Sequence, residues 1–395
     1  MELEGAYQLS AIGYRPMRIG LNAHLLSFSR SYRGAGISWY IHNLLLHLPQ
    51  ADQDNEYIAF LSERGADFPS LKLRLSRLPT IRPPLRILWE QFIQPIELAK
   101  ESIDILHSLA FVQPVICPCP AVITIYDLSF LLFPEAFKSL NRTYLSLFTP
   151  YSARRADRVI AISASTKEDI VRHLGVDPGR IDVVYPGVDE AFRPIADRGR
   201  LAAFREKHGL PERLILFVGT IEPRKNVERL VRAYARLRKE GNLPHKLVIG
   251  GAEGWLYTEV FATVEEMGLG DDVILPGYIP RDELLLWYNA ADVFVYPSLY
   301  EGFGLPPLEA MACGTPVIAS NASSLPEVVG EAGLLVDPYD VEGMAEAMFK
   351  VLTDEELREG MRRKGLERAK GFSWLKMARE TVKVYGHIGG DRGDV

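Results

Sequence analysis

Short apolar runs with β-branched and aromatic residues alternate with longer stretches of helical spacing along most of the chain, the two signals that separate strand from helix. Residues 17–21 read as a first strand that runs into a loop carrying Gly34 and Gly36, and residues 37–48 follow with helical spacing. Residues 57–61, 103–107, 122–126 and 158–163 predict further strands in the first half. The second half repeats more regularly, with strands predicted at 214–219, 246–250, 273–275, 293–296, 316–319 and 334–336. Helical patterns at 226–238, 255–267, 281–290 and 306–312 lie between them. Such alternation predicts α/β domains in which right-handed crossovers build parallel sheets. A loop at Pro186-Gly187-Val188-Asp189 and the polar segment after Phe192 divide the series. Two Rossmann-like, doubly wound domains facing a cleft are therefore expected, over residues 1–190 and 191–372.

Length agrees with two domains, because 395 residues exceed the roughly 250–300 at which one hydrophobic core stops growing. Hydrophobic residues at 47% and charged residues at 24% exclude a disordered or fibrous chain. A net charge of −6 argues against a general nucleic-acid binder, which needs an excess of Lys and Arg. Three cysteines, Cys117, Cys119 and Cys313, make neither a disulfide framework nor a zinc site and fit a reducing cytoplasm. The opening Met1-Glu2-Leu3-Glu4 has no basic or apolar region of a secretory signal, so a cytoplasmic location is expected. Residues 105–126 carry no charged side chain, but Pro114, Pro118 and Pro120 speak for two buried strands around a Pro-rich loop rather than a membrane helix. Between Asp67 and Glu90, five cations (Lys72, Arg74, Arg77, Arg82 and Arg86) interleave with Leu71, Leu73, Leu75, Ile81, Leu85 and Trp89. This run is either a solvated face or a basic, apolar surface for an anionic inner membrane. Asp52-Gln-Asp54 mimics a metal-binding pair but lies in a polar turn, and no His/Cys set has zinc spacing.

The segment from Tyr296 to Val317 carries the strongest chemical signal. A strand ends, a loop with Glu301, Gly302, Phe303 and Gly304 follows, and Pro306-Pro307 sits where a helix begins. Backbone N–H groups near Gly304 and Leu305 then make an anion site at the helix start. Glu301 and Glu309 can each accept hydrogen bonds from the diols of one bound molecule. The second signal is Gly219-Thr-Ile-Glu-Pro-Arg224-Lys225-Asn226, where two adjacent cations at the end of a strand suit a diphosphate. The third is Gly34-Ala-Gly36, which is not the dinucleotide fingerprint because Trp39 stands three residues after Gly36. His107 ends a strand beside the expected cleft, either as an acceptor contact or as a core histidine.

Together these blocks, with Leu325-Pro-Glu-Val, resemble glycosyltransferase family 4, the retaining GT-B enzymes. The likeness runs from about residue 17 to 385 and is densest at 213–340. It implies a nucleotide-sugar donor held mainly by the C-terminal domain and an acceptor held mainly by the N-terminal one. It also implies a last helix, near residues 372–385, that crosses back so that 373–395 lie on the first domain. By the same resemblance, Arg224 and Lys225 match the diphosphate pair, Glu301 the donor-sugar carboxylate, and Glu309 the ribose carboxylate. Gly219 belongs to the same block as Arg224 and Lys225, Phe303, Gly304 and Leu305 supply backbone contacts, and Gly34 and Gly36 match the N-terminal glycine loop. Tyr126-Asp127 resembles a strand end at which many relatives carry His-Asp. A phenol exchanges hydrogen bonds there but is no imidazole base near neutral pH.

The expected activity is retaining, metal-independent transfer of a hexose to a glycan or lipid-linked hydroxyl in polysaccharide or glycoconjugate biosynthesis. No cofactor is expected beyond the donor, a GDP- or UDP-linked sugar with GDP-mannose first, and no nucleic-acid partner. The base would be chosen around residues 250–254 and 277–279. The alternatives are a non-catalytic sugar-nucleotide-binding partner and a GT-B epimerase or phosphorylase-like enzyme.

Overall fold

The computed structural model describes residues 16–29, 36–137, 139–241, 243–251 and 257–390. The first sheet contains β1 (Arg18–Asn22), β2 (Glu56–Leu61), β3 (Lys72–Leu75), β4 (Ile105–Ser108), β5 (Ala121–Ile125), β6 (Arg158–Ala161) and β7 (Ile181–Val183). Its order is β3-β2-β1-β4-β5-β6-β7 with every pairing parallel. The second sheet contains β8 (Leu214–Val218), β9 (Lys246–Gly250), β10 (Val273–Gly277), β11 (Val293–Tyr296), β12 (Val317–Ser320) and β13 (Leu334–Val336). It is also all parallel, in the order β10-β9-β8-β11-β12-β13. Helices cover both faces of a parallel sheet, so its central strands are apolar at both parities: Ala121–Ile125 and Val317–Ser320 are buried throughout.

Two strands escape the sequence pattern. β3 is an edge strand whose Lys72 and Arg74 are exposed, and β7 is three residues long. The basic run does not form one continuous surface. Lys72 Nζ and Arg74 Nε lie 2.7 and 2.6 Å from the carboxylate of Glu101, and Leu71 and Trp89 are buried. Half of that run is therefore ordinary sheet edge and core.

The chain returns to the first domain at its end. Helix Trp374–Gly390 packs on helix Ile37–Ala51. His107 is also corrected: it has no exposed surface, its Nδ1 is 2.7 Å from Tyr385 Oη, and its Nε2 is 2.8 Å from Thr124 Oγ1. It ties the returning helix to β4 and β5 and has nothing left for an acceptor. Burial lowers its imidazole to about 3.

Loops beyond the C-terminal ends of the two sheets meet across the cleft, where open α/β sheets bind ligands. Tyr300 Oη donates to Asp169 at 2.7 Å and accepts the N–H of Leu128 at 3.1 Å. Glu327 reaches across to accept the N–H groups of Ala164 and Ser165, both at 2.9 Å, an anion on the first turn of helix Ala164–Asp169.

Candidate active site

β8 ends at Val218, and the chain reaches a single 3-10 turn, Pro223–Lys225. Asn226 closes that turn in the left-handed region (φ 60°), which Asn tolerates better than most residues. Its Nδ2 donates to the carbonyls of Pro297 and Pro338 at 3.0 and 2.7 Å, fixing the turn to the end of β11. Arg224 and Lys225 are thereby aimed at the loop after β11. Arg224 donates to Glu301 at 3.0 Å, to Glu222 at 2.6 Å and to the carbonyl of Tyr300 at 2.7 Å. Lys225 Nζ lies 2.6 Å from Glu301 Oε1 and 2.6 Å from Tyr296 Oη.

Glu301 thus sits between two cations in a buried triad. Burial pushes its carboxyl up, but the charges of Lys225 and Arg224 outweigh that and hold it down to about 2. Burial likewise lowers the Lys225 ammonium, against the pull of Glu301. The carboxylate stays ionised at neutral pH, and the triad can trade partners: a diphosphate takes the cations, and Glu301 is freed to accept from sugar hydroxyls.

Gly304 begins helix Leu305–Ala312 at φ 115°, and a Cβ there would lie 2.7 Å from Leu325. Glycine is required on both counts. Pro306 and Pro307 have no N–H, so the donors free to meet an anion at this helix start are those around Gly304 and Leu305. Glu309, inside the helix, accepts from Arg281 at 3.1 Å and from Tyr288 Oη at 3.0 Å; burial raises its pKa against both partners. Arg281 also stacks on the Trp39 ring of the first domain, 3.9 Å from its centroid.

Residues 34–192 match the family described as Glycosyltransferase Family 4, and residues 202–368 match Glycosyl transferases group 1. The chain belongs to the group 1 glycosyltransferases. It is 35% identical over 265 residues, 67% of this chain and 70% of the relative, to the O-antigen chain mannosyltransferase B of Escherichia coli. The serotype-specific mannosyltransferase WbdA of Escherichia coli is 32% identical over 68% of this chain, which spans only 33% of that longer protein. In fold, the chain superposes on sucrose-phosphate synthase from Thermosynechococcus elongatus with a TM-score of 0.76, at 24% identity and covering 95% and 100% of the two chains. The architecture is GT-B.

Asp127 stands at the cleft: its carboxylate accepts from Ser129 N at 2.8 Å and Ser129 Oγ at 2.5 Å, and its negative charge acts on Arg224 across the gap. Gly219 and Phe303 line the same loops, Gly219 donating to the carbonyl of Gly250 at 2.9 Å and the Phe303 carbonyl accepting from Ser324 at 2.6 Å. Tyr126 differs from expectation, because its phenol donates to the carbonyl of Leu109 at 2.7 Å among Tyr40 and Phe111, inside the core. Its backbone carbonyl faces Gly302, so close that any Cβ at Gly302 would collide with it. Gly36 has φ 50° and open space where a Cβ would stand. Gly34 and residues 252–254 lie outside the described residues. Asp52 spends its carboxylate on Asp54 N, Asn55 and Tyr57, closing a turn.

Sequence reasoning missed Tyr296, Tyr300, Arg281 and Glu327. Glu327 was visible inside Leu325-Pro-Glu-Val, but its partners Tyr185, Ala164 and Ser165 lie 142, 163 and 162 residues away. Arg281, at the head of helix Arg281–Ala290, carries no local signal at all.

Proposed function

We propose that the protein transfers a hexose, mannose first, from a nucleoside diphosphate sugar to a hydroxyl of a glycan or lipid-linked glycan on the cytoplasmic face of the membrane, with retention at the anomeric carbon. The observation that carries this reading is the Arg224–Lys225–Glu301 triad at the C-terminal edge of the second sheet, beside Asp127. The bond from the sugar carbon to the phosphate oxygen breaks, and charge builds on the departing diphosphate. Arg224, Lys225 and the N–H groups near Leu305 offset that charge, so no metal ion is invoked. The acceptor oxygen bonds to the same carbon, and its proton passes to the departing phosphate. Glu301 positions the sugar hydroxyls and does not attack.

The mannosyltransferase relatives support mannose, and GDP-mannose is the first donor to try, with a UDP-hexose second. Thermal unfolding with GDP and with UDP tests the reading, since a ligand that binds only the folded state raises the melting temperature. GDP is expected to give the larger rise; no rise with either nucleotide would overturn the donor assignment. Chelating divalent ions should leave transfer intact, and a metal requirement would refute the cationic mechanism.

A further inference from the structure

The side chain of Arg281 joins the two domains. It begins helix Arg281–Ala290 of the second domain, and one nitrogen of its guanidinium donates to Glu309 Oε1 at 3.1 Å. The carbon of the same guanidinium lies 3.9 Å from the centre of the Trp39 ring, in helix Ile37–Ala51 of the first domain. Phe192, in the segment between the domains, is 5.4 Å from it on another side. Trp39 stacks in turn on His42, with ring centres 5.1 Å apart and 23° between the planes. Its indole N–H is buried with no hydrogen-bond partner among the described residues, so within that set ring contacts hold the indole in place. Asp189, also between the domains, is near enough for its charge to act on both Glu309 and His42.

The two partners of Glu309 differ in freedom. Tyr288, which donates to Oε2 at 3.0 Å, has no exposed surface and packs against Phe192 and Phe294. It cannot leave without opening the core. The Arg281 side chain is 30% exposed and is free to turn into solvent. Glu309 itself is only 4% exposed, so a ligand hydroxyl finds room on Oε1 only where Arg281 gives way. The helix says which hydroxyl arrives there. Glu309 lies four residues, about 6 Å of helix, beyond Leu305, at the end of the helix that favours an anion. In a nucleoside diphosphate the group next to the diphosphate is the ribose, whose vicinal diol donates to a carboxylate.

We infer that Arg281 is a latch between the domains which the ribose of a nucleotide releases: the 2′,3′-diol takes Glu309 Oε1, and Arg281 gives up both that oxygen and its seat on Trp39. The latch deepens the proposed function and rests on its nucleoside diphosphate donor. Ribose binding and the Trp39 contact exclude each other, and by linkage a contact that binding must break opposes that binding. Trp39 acts only through Arg281. The first domain thereby registers an occupied donor site without touching the nucleotide, at a ring three residues after Gly36.

Isothermal titration of the full chain with GDP or UDP, whichever raises the melting temperature, and with its 2′,3′-dideoxy counterpart tests the latch. Trp39→Leu should tighten the ribonucleotide by roughly 2- to 5-fold, the size of a partly exposed cation–π contact, and Trp39→Phe by less. Neither change should alter the dideoxynucleotide, which has no diol to take Glu309. In an Arg281→Gln background, Trp39→Leu should have no further effect on the ribonucleotide, because the latch is already gone. Equal changes for the two nucleotides would make Trp39 a general structural support and overturn the inference. So would an unchanged or weaker ribonucleotide, or a Trp39→Leu effect that survives in the Arg281→Gln background. Binding of neither GDP nor UDP to the wild-type chain overturns the donor reading and takes the inference with it; the other outcomes leave that reading standing.

Discussion

Glu301→Gln separates the two roles assigned to the triad. The amide keeps the size of the carboxylate but removes the charge that faces Lys225 Nζ at 2.6 Å and Arg224 at 3.0 Å. On the proposed function, those cations turn to the diphosphate in the donor complex, and Glu301 accepts from sugar hydroxyls. Losing a charge-assisted contact that tightens in the transition state costs about 2.7–4 kcal/mol, or roughly 10²–10³-fold in kcat/KM. Free nucleoside diphosphate has no sugar, and in the variant it no longer competes with a carboxylate for the cations. Its Kd should therefore stay the same or tighten. Isothermal titration with GDP or UDP, beside steady-state transfer by the same preparation, measures both quantities. A parallel loss in the two assays would refute the division of labour and assign Glu301 to the nucleotide.

Three further outcomes follow from the geometry. Arg224→Ala or Lys225→Ala should each lower kcat/KM by about 10²-fold or more and weaken nucleoside diphosphate binding in titration, since each removes a cation from the leaving group. Gly302→Ala places a methyl against the carbonyl of Tyr126 and should widen the cleft, seen as a larger radius of gyration in solution scattering and a lower kcat with little change in melting temperature. His107, held at about 3 in the folded protein against an ordinary value near 6.5, binds a proton in the unfolded chain that the native state refuses. Stability should therefore rise with pH across that window by about 1.4 kcal/mol per unit from this residue, and urea titrations of His107→Gln should show a shallower slope.

The parts of the fold that sequence made legible are those where one periodicity dominates. β5 and β12 are buried on both faces, and their mostly apolar, β-branched runs read as central strands. β3 was hidden because an edge strand with Lys72 and Arg74 on its open side reads as a charged stripe, and its partner Glu101 is 27 and 29 residues away. In the site, Arg224, Lys225 and Glu301 were readable because each lies just beyond a strand end, where topology brings loops together. The mutual pairing of these three was not readable, since nothing local says that a loop 76 residues downstream will supply the counterion. Tyr126 shows the limit of matching by position: the strand ends where expected, but the phenol is drawn into the Tyr40–Phe111 cluster and leaves only backbone at the cleft.

A phosphorus magnetic resonance time course of GDP-mannose, and of UDP-glucose, tests the proposed transfer with the wild-type chain and with the Arg224→Ala/Lys225→Ala double variant, in the presence of a mannosylated acceptor. The cationic mechanism predicts release of nucleoside diphosphate from one donor, with equimolar growth of an α-linked product, and at least a 10²-fold slower release by the double variant. Release at the wild-type rate by the double variant, or a product of inverted configuration, would contradict it.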